Sequence, residues 1–223
     1  FQSTDQPMTA SLTSQNPIVY VVDDDASVRE SLNSLIRSAG MSVEVFASPF
    51  DFLAKDKLSD FACLVLDVRM PGLDGLALQE RIAELGVEIP IIIITGHGDV
   101  PLAVRAMKAG AIDFLNKPFN DTDLLTAIAV ALSRVSRTVN ERTELANLRL
   151  RFETLTPREK QIMFAVAQGK QNKAIAYDLC VTESTVKVHK HNLMSKMNIR
   201  SIAELTLAIQ QLKSESKKSN GIV

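Results

Sequence analysis

The sequence has few cysteines, no long apolar run and no glycine-rich loop after its first predicted strand, and each shortage excludes a class of protein. The two cysteines among its 223 residues, Cys63 and Cys180, lie far apart in apolar patterns. We therefore predict two buried, unpaired thiols of a reducing cytoplasm. No apolar run approaches the roughly 18 residues of a membrane span and no signal peptide is visible, so no membrane partner is expected. Without a glycine-rich loop, a nucleotide-binding enzyme is disfavoured.

Charge is distributed unevenly along the chain, although the formal net charge is only −1. Residues 17–132 contain 9 Lys and Arg against 17 Asp and Glu, whereas residues 133–223 contain 16 against 8. An acidic front joined to a basic rear predicts that only the rear binds a polyanion. Taken alone, the charges also fit two solvated faces that happen to differ.

The length suits one large domain or two smaller ones. We predict an α/β domain over residues 17–135, a helical linker over 136–154 and an all-α domain over 155–212. Residues 1–16 are interpreted as a disordered lead-in that begins with a tag remnant, and residues 213–223 as a disordered tail.

The front half alternates apolar strand patterns with helical patterns. The predicted strands span residues 18–22, 42–46, 62–66, 90–94 and 112–115. Alternation at this spacing predicts a five-stranded parallel sheet covered by helices on both faces.

Polar residues stand where four of these strands end: Asp23 and Asp24, Asp67, Thr95 and Lys117. Ligands of an open parallel sheet bind beyond the carboxyl ends of its strands. Three converging carboxylates repel one another unless a cation binds between them. Ligands that are all oxygen atoms suit Mg²⁺, and protein-bound Mg²⁺ usually also binds the oxygens of a phosphoryl group. Lys117 and Thr95 suit phosphate oxygens, and Asp67 is then the nucleophile that forms an aspartyl phosphate. Each residue alone has a structural explanation, such as a cap or turn, but the set favours this site.

The linker is predicted to be one long helix, because residues 120–155 contain neither Gly nor Pro. Leu145, Leu148, Phe152 and Leu155 recur at heptad spacing along it. Two heptads are too few to define a coiled coil. This stripe either seals the linker onto a domain or pairs with a second chain, and pairing is slightly favoured.

The rear half has the pattern of a helix-turn-helix. A short helix over residues 172–179 and a turn over 180–182 precede a longer basic helix over 183–197, which enters the major groove in such motifs. On a 100° wheel this helix has a core side and an opposite face, the latter comprising Ser184, Lys187, Val188, His191 and Ser195. Small basic helical units also bind proteins, which is the alternative interpretation.

Roles on this face follow from residue type. Val188 is an apolar residue on a face expected to be exposed to solvent, and it suits contact with a thymine methyl group. Lys187 and His191 suit hydrogen bonds to base edges or to phosphates. Four other lysines are predicted to contact phosphates without reading sequence: Lys170, Lys173, Lys190 and Lys196.

The front half resembles the receiver domain of bacterial two-component response regulators. The motifs VVDD, LDVRMPGLDG, IITGHGD and FLNKPF carry the resemblance, which covers Pro17 to Val135. It implies a flavodoxin-like fold with Asp67 as phosphoacceptor. It also implies Mg²⁺ held by Asp24, Asp67 and the backbone carbonyl of Arg69, with Asp23 acting through water.

The same resemblance implies roles around this pocket. The Lys117-Pro118 bond is expected to be cis. Phe114 falls on the aromatic switch position, where an inward ring together with Thr95 accompanies phosphorylation. Arg69 and His97 are candidates for tuning the lifetime of the phosphate, or are exposed side chains with no kinetic role.

The rear half resembles the LuxR-type four-helix DNA-binding domain over Leu155 to Leu212, through LTPRE, NKAIA and TVKVH. Together the halves resemble the FixJ/NarL group, and ITGHGDVPLAVRAMKAGAIDFLNKPF favours FixJ. The resemblance implies a cytoplasmic, phosphorylation-controlled transcription regulator that binds double-stranded promoter DNA. Its implied partners are a histidine kinase, a second copy of the chain and possible contact with RNA polymerase.

Two other functions compete with this interpretation. A phosphatase of the haloacid-dehalogenase kind needs a second Asp two residues after the nucleophile, where this chain has Arg69. We therefore expect no enzyme beyond the chain's own phosphoryl transfer and dephosphorylation. A DNA-binding regulator that ignores phosphorylation stays open, although the full acidic set argues against it.

Overall fold

In the computed structural model, residues 16–96 and 98–219 are described, with side chains described as far as residue 214. The chain divides into two compact units between Val139 and Asn140. Most of the predicted lead-in, and residues 220–223 of the predicted tail, lie outside the described residues.

The front unit contains one parallel sheet with the strand order β2-β1-β3-β4-β5. Its strands are β1 Ile18–Val22, β2 Ser42–Phe46, β3 Ala62–Asp67, β4 Ile91–Thr95 and β5 Asp113–Asn116. The five predicted strands are confirmed, with ends that differ by one residue at most. Strands β3 and β4 are buried along their whole length, as expected of central strands covered on both faces.

Helices cover both faces of the sheet: α1 Ala26–Ser38, α2 Pro49–Leu53, α3 Gly75–Glu84, α4 Val100–Lys108 and the start of α5 Asp121–Glu153. Alternate residues of the strands feed two separate cores, since Leu64 and Leu66 lie in one and Cys63 and Val65 in the other. Helices α1 to α4 each begin at a side-chain N-cap, from Asp25, Ser48, Asp74 and Asp99 respectively.

The rear unit is helical and contains α6 Pro157–Ala167, α7 Asn172–Asp178, α8 Glu183–Met197 and α9 Ile202–Ser219. Helices α7 and α8 meet at a tight turn in which Cys180 has φ of 53°. The core beneath them includes Ile162, Ile175 and Val186, none of which is accessible to solvent. The predicted helix-turn-helix is confirmed.

The single predicted linker helix is also present, because α5 runs without interruption for 33 residues. Three of the four residues of its stripe contact the rear unit, and pairing with a second chain stays a prediction. Leu148, Phe152 and Leu155 pack into the core of the rear unit, so the alternative, sealing onto a domain, describes them.

Two further expectations need correction. Cys63 is buried as predicted, but Cys180 is exposed, because the left-handed backbone of the turn carries its side chain away from the core. The predicted disordered tail is helical from residue 213 to Ser219, a stretch with three lysines and neither Gly nor Pro. No helix within the described part of the chain is long and apolar enough to cross a membrane.

Candidate functional site

The carboxyl ends of β1, β3 and β4 bring the predicted site residues to one edge of the sheet. Val22 lies beside Leu66 in the parallel ladder, so Asp23 and Asp67 follow on neighbouring strands. The backbone N–H of Lys117 donates to the carbonyl of Thr95 at 2.7 Å. Lys117 Nζ then lies 2.7 Å from Asp23 Oδ2 and 2.8 Å from Asp67 Oδ1. One ammonium group therefore bridges two buried carboxylates.

Both carboxylates are fixed in orientation by further hydrogen bonds. Asp67 Oδ2 accepts from the backbone N–H of Arg69 at 2.7 Å. Asp23 Oδ1 accepts from the N–H of Asp25 at 2.9 Å, and Arg29 Nη1 donates to the carbonyl of Asp23 at 2.7 Å. The sequence does not predict this role of Arg29, since nothing in its spacing marks a contact with a backbone carbonyl.

The electrostatics of this cluster are dominated by burial. Burial raises the pKa of Asp67, and the opposing effects of Lys117 and of the Arg69 N–H do not fully offset it. Burial acts to lower the pKa of Lys117, but its hydrogen bonds to Asp23 and Asp67 outweigh this and the pKa lies above its ordinary value. The hydrogen-bonded carboxylates thus favour the charged form of Lys117, whereas burial shifts Asp67 toward its neutral form.

The predicted magnesium ligands are only partly gathered. Asp23 is 1% exposed and Asp67 is buried, whereas Asp24 is exposed. Among the residues that the structure describes, no three His, Cys, Asp or Glu side chains form a group able to hold a metal ion. The predicted ligands nevertheless fit Mg²⁺ chemically, because all the donor atoms are oxygens. The negative charge of three carboxylates also exceeds the positive charge of the one lysine beside them.

The two predicted switch residues, Thr95 and Phe114, lie beside this cluster. Thr95 is fully buried at the end of β4, and Phe114 on β5 is partly buried against one of the two front cores. A Cβ atom added to Gly98 would lie 2.9 Å from two atoms of the Phe114 ring, so the ring lies against this glycine. The Lys117-Pro118 bond is cis, as predicted. Arg69 is exposed, and His97 lies outside the described residues.

A cavity of about 700 Å³ opens next to the cluster. Its lining includes Asp24, Arg69, Asp74 and Arg105, so charged groups of both signs line this cavity.

In the rear unit, the predicted nucleic-acid face of α8 is exposed. Ser184, Lys187 and His191 are exposed, and Val188 is 58% exposed although it is apolar. Val186, Leu193 and Met197 are inaccessible on the opposite side, as the wheel predicts. Among the other predicted DNA contacts, Lys173 on α7 is exposed and Lys190 is half-buried.

Two of the four lysines assigned to phosphates have partners within the rear unit. Lys170 Nζ pairs with Asp178 at 2.5 Å, and Lys196 Nζ pairs with Glu159 at 2.8 Å. Glu159 is buried, and burial acts to raise its pKa. Hydrogen bonds from Lys196 and Thr156 more than offset that effect, so the pKa of Glu159 lies below its ordinary value.

Comparisons with known proteins divide the chain in the same way. The family model described as "Response regulator receiver domain" matches residues 19–129. The model described as "Bacterial regulatory proteins, luxR family" matches residues 153–209.

Individual relatives match most of the chain. Response regulator protein TmoT of Ectopseudomonas mendocina is 45% identical over 206 residues, which cover 92% of this chain and 94% of TmoT. The chain belongs to the response regulators. Transcriptional regulatory protein FixJ of Bradyrhizobium diazoefficiens is 43% identical to the regulator over 187 residues, covering 84% of the regulator and 91% of FixJ. The solved structure of response regulator StyR superposes with a TM-score of 0.75 at 47% identity, covering 88% of the regulator and 99% of StyR.

Membership establishes what the regulator does in outline. It is a transcriptional response regulator, not an enzyme of the ordinary kind, with a receiver domain followed by a LuxR-type DNA-binding domain. Regulators of this construction interact with DNA and with a histidine kinase, and receiver domains generally use Mg²⁺ for phosphorylation.

Proposed function

We propose that Asp67 is the phosphoacceptor of this regulator and that phosphorylation there controls promoter binding by α8. The observation that carries the proposal is the cluster at the sheet edge. Asp67 is buried and held through both oxygens, by Lys117 Nζ on one and by the Arg69 N–H on the other. A carboxylate fixed in this way is oriented before its reaction partner arrives, which lowers the entropic part of the barrier.

The chemical step is a phosphoryl transfer from the phosphohistidine of a kinase. A carboxylate oxygen of Asp67 attacks phosphorus, an oxygen–phosphorus bond forms and the nitrogen–phosphorus bond to the imidazole breaks. The imidazole leaves with the bonding electron pair and takes up a proton from solvent. Lys117 donates a hydrogen bond to Asp67 and stabilises negative charge on the oxygens of the transferred phosphoryl group. Thr95 supplies a hydroxyl that donates to the same oxygens. Hydrolysis of the acyl phosphate later restores the carboxylate, at a rate that Arg69 and His97 tune.

Asp23, Asp24, Asp67 and the backbone carbonyl of Arg69 would hold Mg²⁺. The ion would neutralise charge on the phosphoryl oxygens during transfer. Support comes from the charge balance, because three carboxylates against one ammonium leave a formal charge that a divalent cation offsets.

We assign the output to the α4–β5 surface of the front unit. Thr95 and Phe114 respond to the phosphoryl group, and α4 carries apolar side chains toward solvent at i, i+4 and i+7 spacing. Val100, Val104 and Met107 are 77%, 45% and 46% exposed. An apolar stripe of this spacing suits pairing with a second copy, which would place two α8 helices on adjacent half-sites beside RNA polymerase. Action on chromosomal DNA places the regulator in the cytoplasm.

Phosphorylation by a small acyl phosphate with Mg²⁺ tests the acceptor. We expect the wild-type chain to gain the mass of one phosphoryl group and Asp67→Asn to gain none. Asp51→Asn is the matched control, because Asp51 is exposed and its contact with Ser48 survives in an amide. If Asp67→Asn gained the mass of a phosphoryl group, a residue other than Asp67 would be the phosphoacceptor.

Sedimentation with Mg²⁺ and beryllofluoride, which mimics the aspartyl phosphate, tests the output. We expect a shift from monomer to dimer in the wild-type chain and none in Val104→Asp. No shift in a wild-type chain that has bound the mimic would mean that phosphorylation acts within a single chain.

A further inference from the structure

Glu159 joins the start of the DNA-binding unit to its recognition helix. It is the third residue of α6 and is 3% exposed. Its Oε2 accepts from the backbone N–H of Thr156 and from Lys196 Nζ, both at 2.8 Å. Thr156 Oγ1 in turn accepts from the N–H of Glu159 at 3.3 Å. One carboxylate oxygen therefore connects the N-cap of α6 with the last turn of α8.

Lys196 does not share the face of α8 assigned to bases. At about 100° per residue, it lies about 130° around the helix from the centre of the face formed by Lys187, Val188 and His191. Its ammonium group meets a buried carboxylate instead. A carboxylate that inaccessible requires a cation, because leaving it unpaired in the core is costly.

The rest of the core cannot supply the same restraint. Val186, Leu193 and Met197 fix which side of α8 faces inward, but apolar contacts have no preferred direction and tolerate small shifts along the helix axis. A hydrogen-bonded ion pair has a preferred distance and angle. The pair thus adds a directional restraint on the end of α8 that lies beyond the base-reading residues.

We propose that Glu159 and Lys196 are positioning residues that hold α8 at the depth and angle needed to read bases, and that Lys196 is not a phosphate contact. This inference rests on the proposed function, in which α8 enters the major groove. Base recognition depends on paired hydrogen bonds of fixed geometry, whereas phosphate contacts tolerate displacement. Loss of the pair therefore reduces discrimination between sequences more than it reduces binding to DNA in general.

The test compares two duplexes of equal length by fluorescence anisotropy with the full chain. One duplex is selected from a random library by the wild-type protein, and the other is its scrambled version. The variants are Glu159→Gln, which keeps an acceptor for Thr156 N–H, Lys196→Gln, their combination, and Lys196→Arg. Lys173→Gln is the matched control for a lysine exposed on the neighbouring helix.

We expect Glu159→Gln and Lys196→Gln each to lower the ratio of selected to scrambled affinity about tenfold, with a double variant no worse than the worse single one. Lys196→Arg should keep most of the ratio. The salt dependence of binding to scrambled DNA should be unchanged by Lys196→Gln but should lose about 0.9 in log–log slope in Lys173→Gln. A slope loss of that size in Lys196→Gln, with the ratio retained, would overturn the proposal.

Two safeguards keep the outcomes separate. If Glu159→Gln does not fold, Lys196→Gln and Lys196→Arg still decide, because both leave the capping box intact. If the wild-type chain selects no duplex, the proposed DNA function fails, and amide hydrogen exchange in the free protein then decides the positioning role. Faster exchange at the end of α8 in Lys196→Gln supports the role, and unchanged exchange refutes it.

Discussion

A Cβ atom on Gly75 would lie 2.2 Å from the backbone carbonyl oxygen of Asp67. Only a glycine allows the backbone at residue 75 to come this close to the end of β3. At that distance the N–H of Gly75 donates to the carbonyl of Val68 at 2.9 Å. The first turn of α3 is thereby held against the end of β3, where the candidate phosphoacceptor stands.

Gly75→Ala should therefore displace Asp67 and impair phosphorylation. We expect the unfolding free energy of the front unit to fall by about 1–3 kcal/mol from overpacking, and the labelling rate by a small acyl phosphate to fall at least tenfold. Urea unfolding and the labelling time course measure the two effects. Gly96→Ala is the control, because nothing lies within 4 Å of a Cβ there. Equal stability of both variants and the wild-type chain would contradict the close approach.

Lys117→Met should leave two buried carboxylates facing each other without their cation. Breaking such a cluster costs about 3 kcal/mol, and we expect that loss in the front unit at neutral pH. If Asp23 and Asp67 also take part in binding Mg²⁺, adding the ion should stabilise this variant more than the wild-type chain. Thermal unfolding with and without Mg²⁺ measures both quantities.

The control for that experiment is Lys55→Met. Lys55 pairs with Glu44, whose side chain is 43% exposed, so about 0–1 kcal/mol is expected. Magnesium that stabilises all three proteins equally would argue against a metal site at the acid cluster.

Phe152→Ala tests whether the apolar residues of the linker helix pack onto the rear unit or pair with a second chain. Phe152 packs into the rear core with its ring centroid 6.3 Å from that of Phe164, and Lys160 Nζ lies 4.6 Å from the ring centroid. We expect the variant to lower the unfolding free energy of the rear unit by about 2 kcal/mol. Leu150→Ala, at an exposed position of the same helix, should leave it unchanged. Loss of the beryllofluoride dimer in Phe152→Ala, with stability retained, would restore the pairing interpretation.

Features that repeat along the backbone were predictable from the sequence. The order Asp23, Asp67, Thr95 and Lys117 at strand ends follows from apolar runs, since parallel strands bring their carboxyl ends to one edge. The exposed face of α8 follows from helical periodicity in the same way.

Features that depend on distances between separate segments were not predictable. Glu159 and Lys196 are 37 positions apart, and no pattern in the sequence signals that the two side chains meet. Likewise, heptad spacing identifies the apolar residues on one side of α5. It does not say whether they pack against α6 of the same chain or against a second chain. Cys180 stands between Leu179 and Val181, yet its positive φ exposes it.

The two cysteines should differ sharply in reactivity. Cys63 is inaccessible, and burial raises the pKa of its thiol to about 12, so at pH 8 it is protonated as well as enclosed. A chromogenic disulfide reagent should react quickly with one thiol per native chain and with two in denaturant. Cys180→Ser should remove the fast phase and Cys63→Ser should retain it. Equal rates for both thiols in the native chain would contradict the burial of Cys63.

Lys187→Ala should weaken recognition of sequence more than binding to DNA as such. Lys187 is exposed beside Val188 on the outer face of α8, where a lysine that donates to a base edge contributes about 1–3 kcal/mol of discrimination. Titration of the selected and scrambled duplexes should therefore show that loss on the selected duplex alone. Lys173→Ala should weaken binding to both duplexes equally and lower the salt slope by about 0.9. An equal loss on both duplexes in Lys187→Ala would show that its ammonium group touches phosphate and that Val188 and His191 carry the reading.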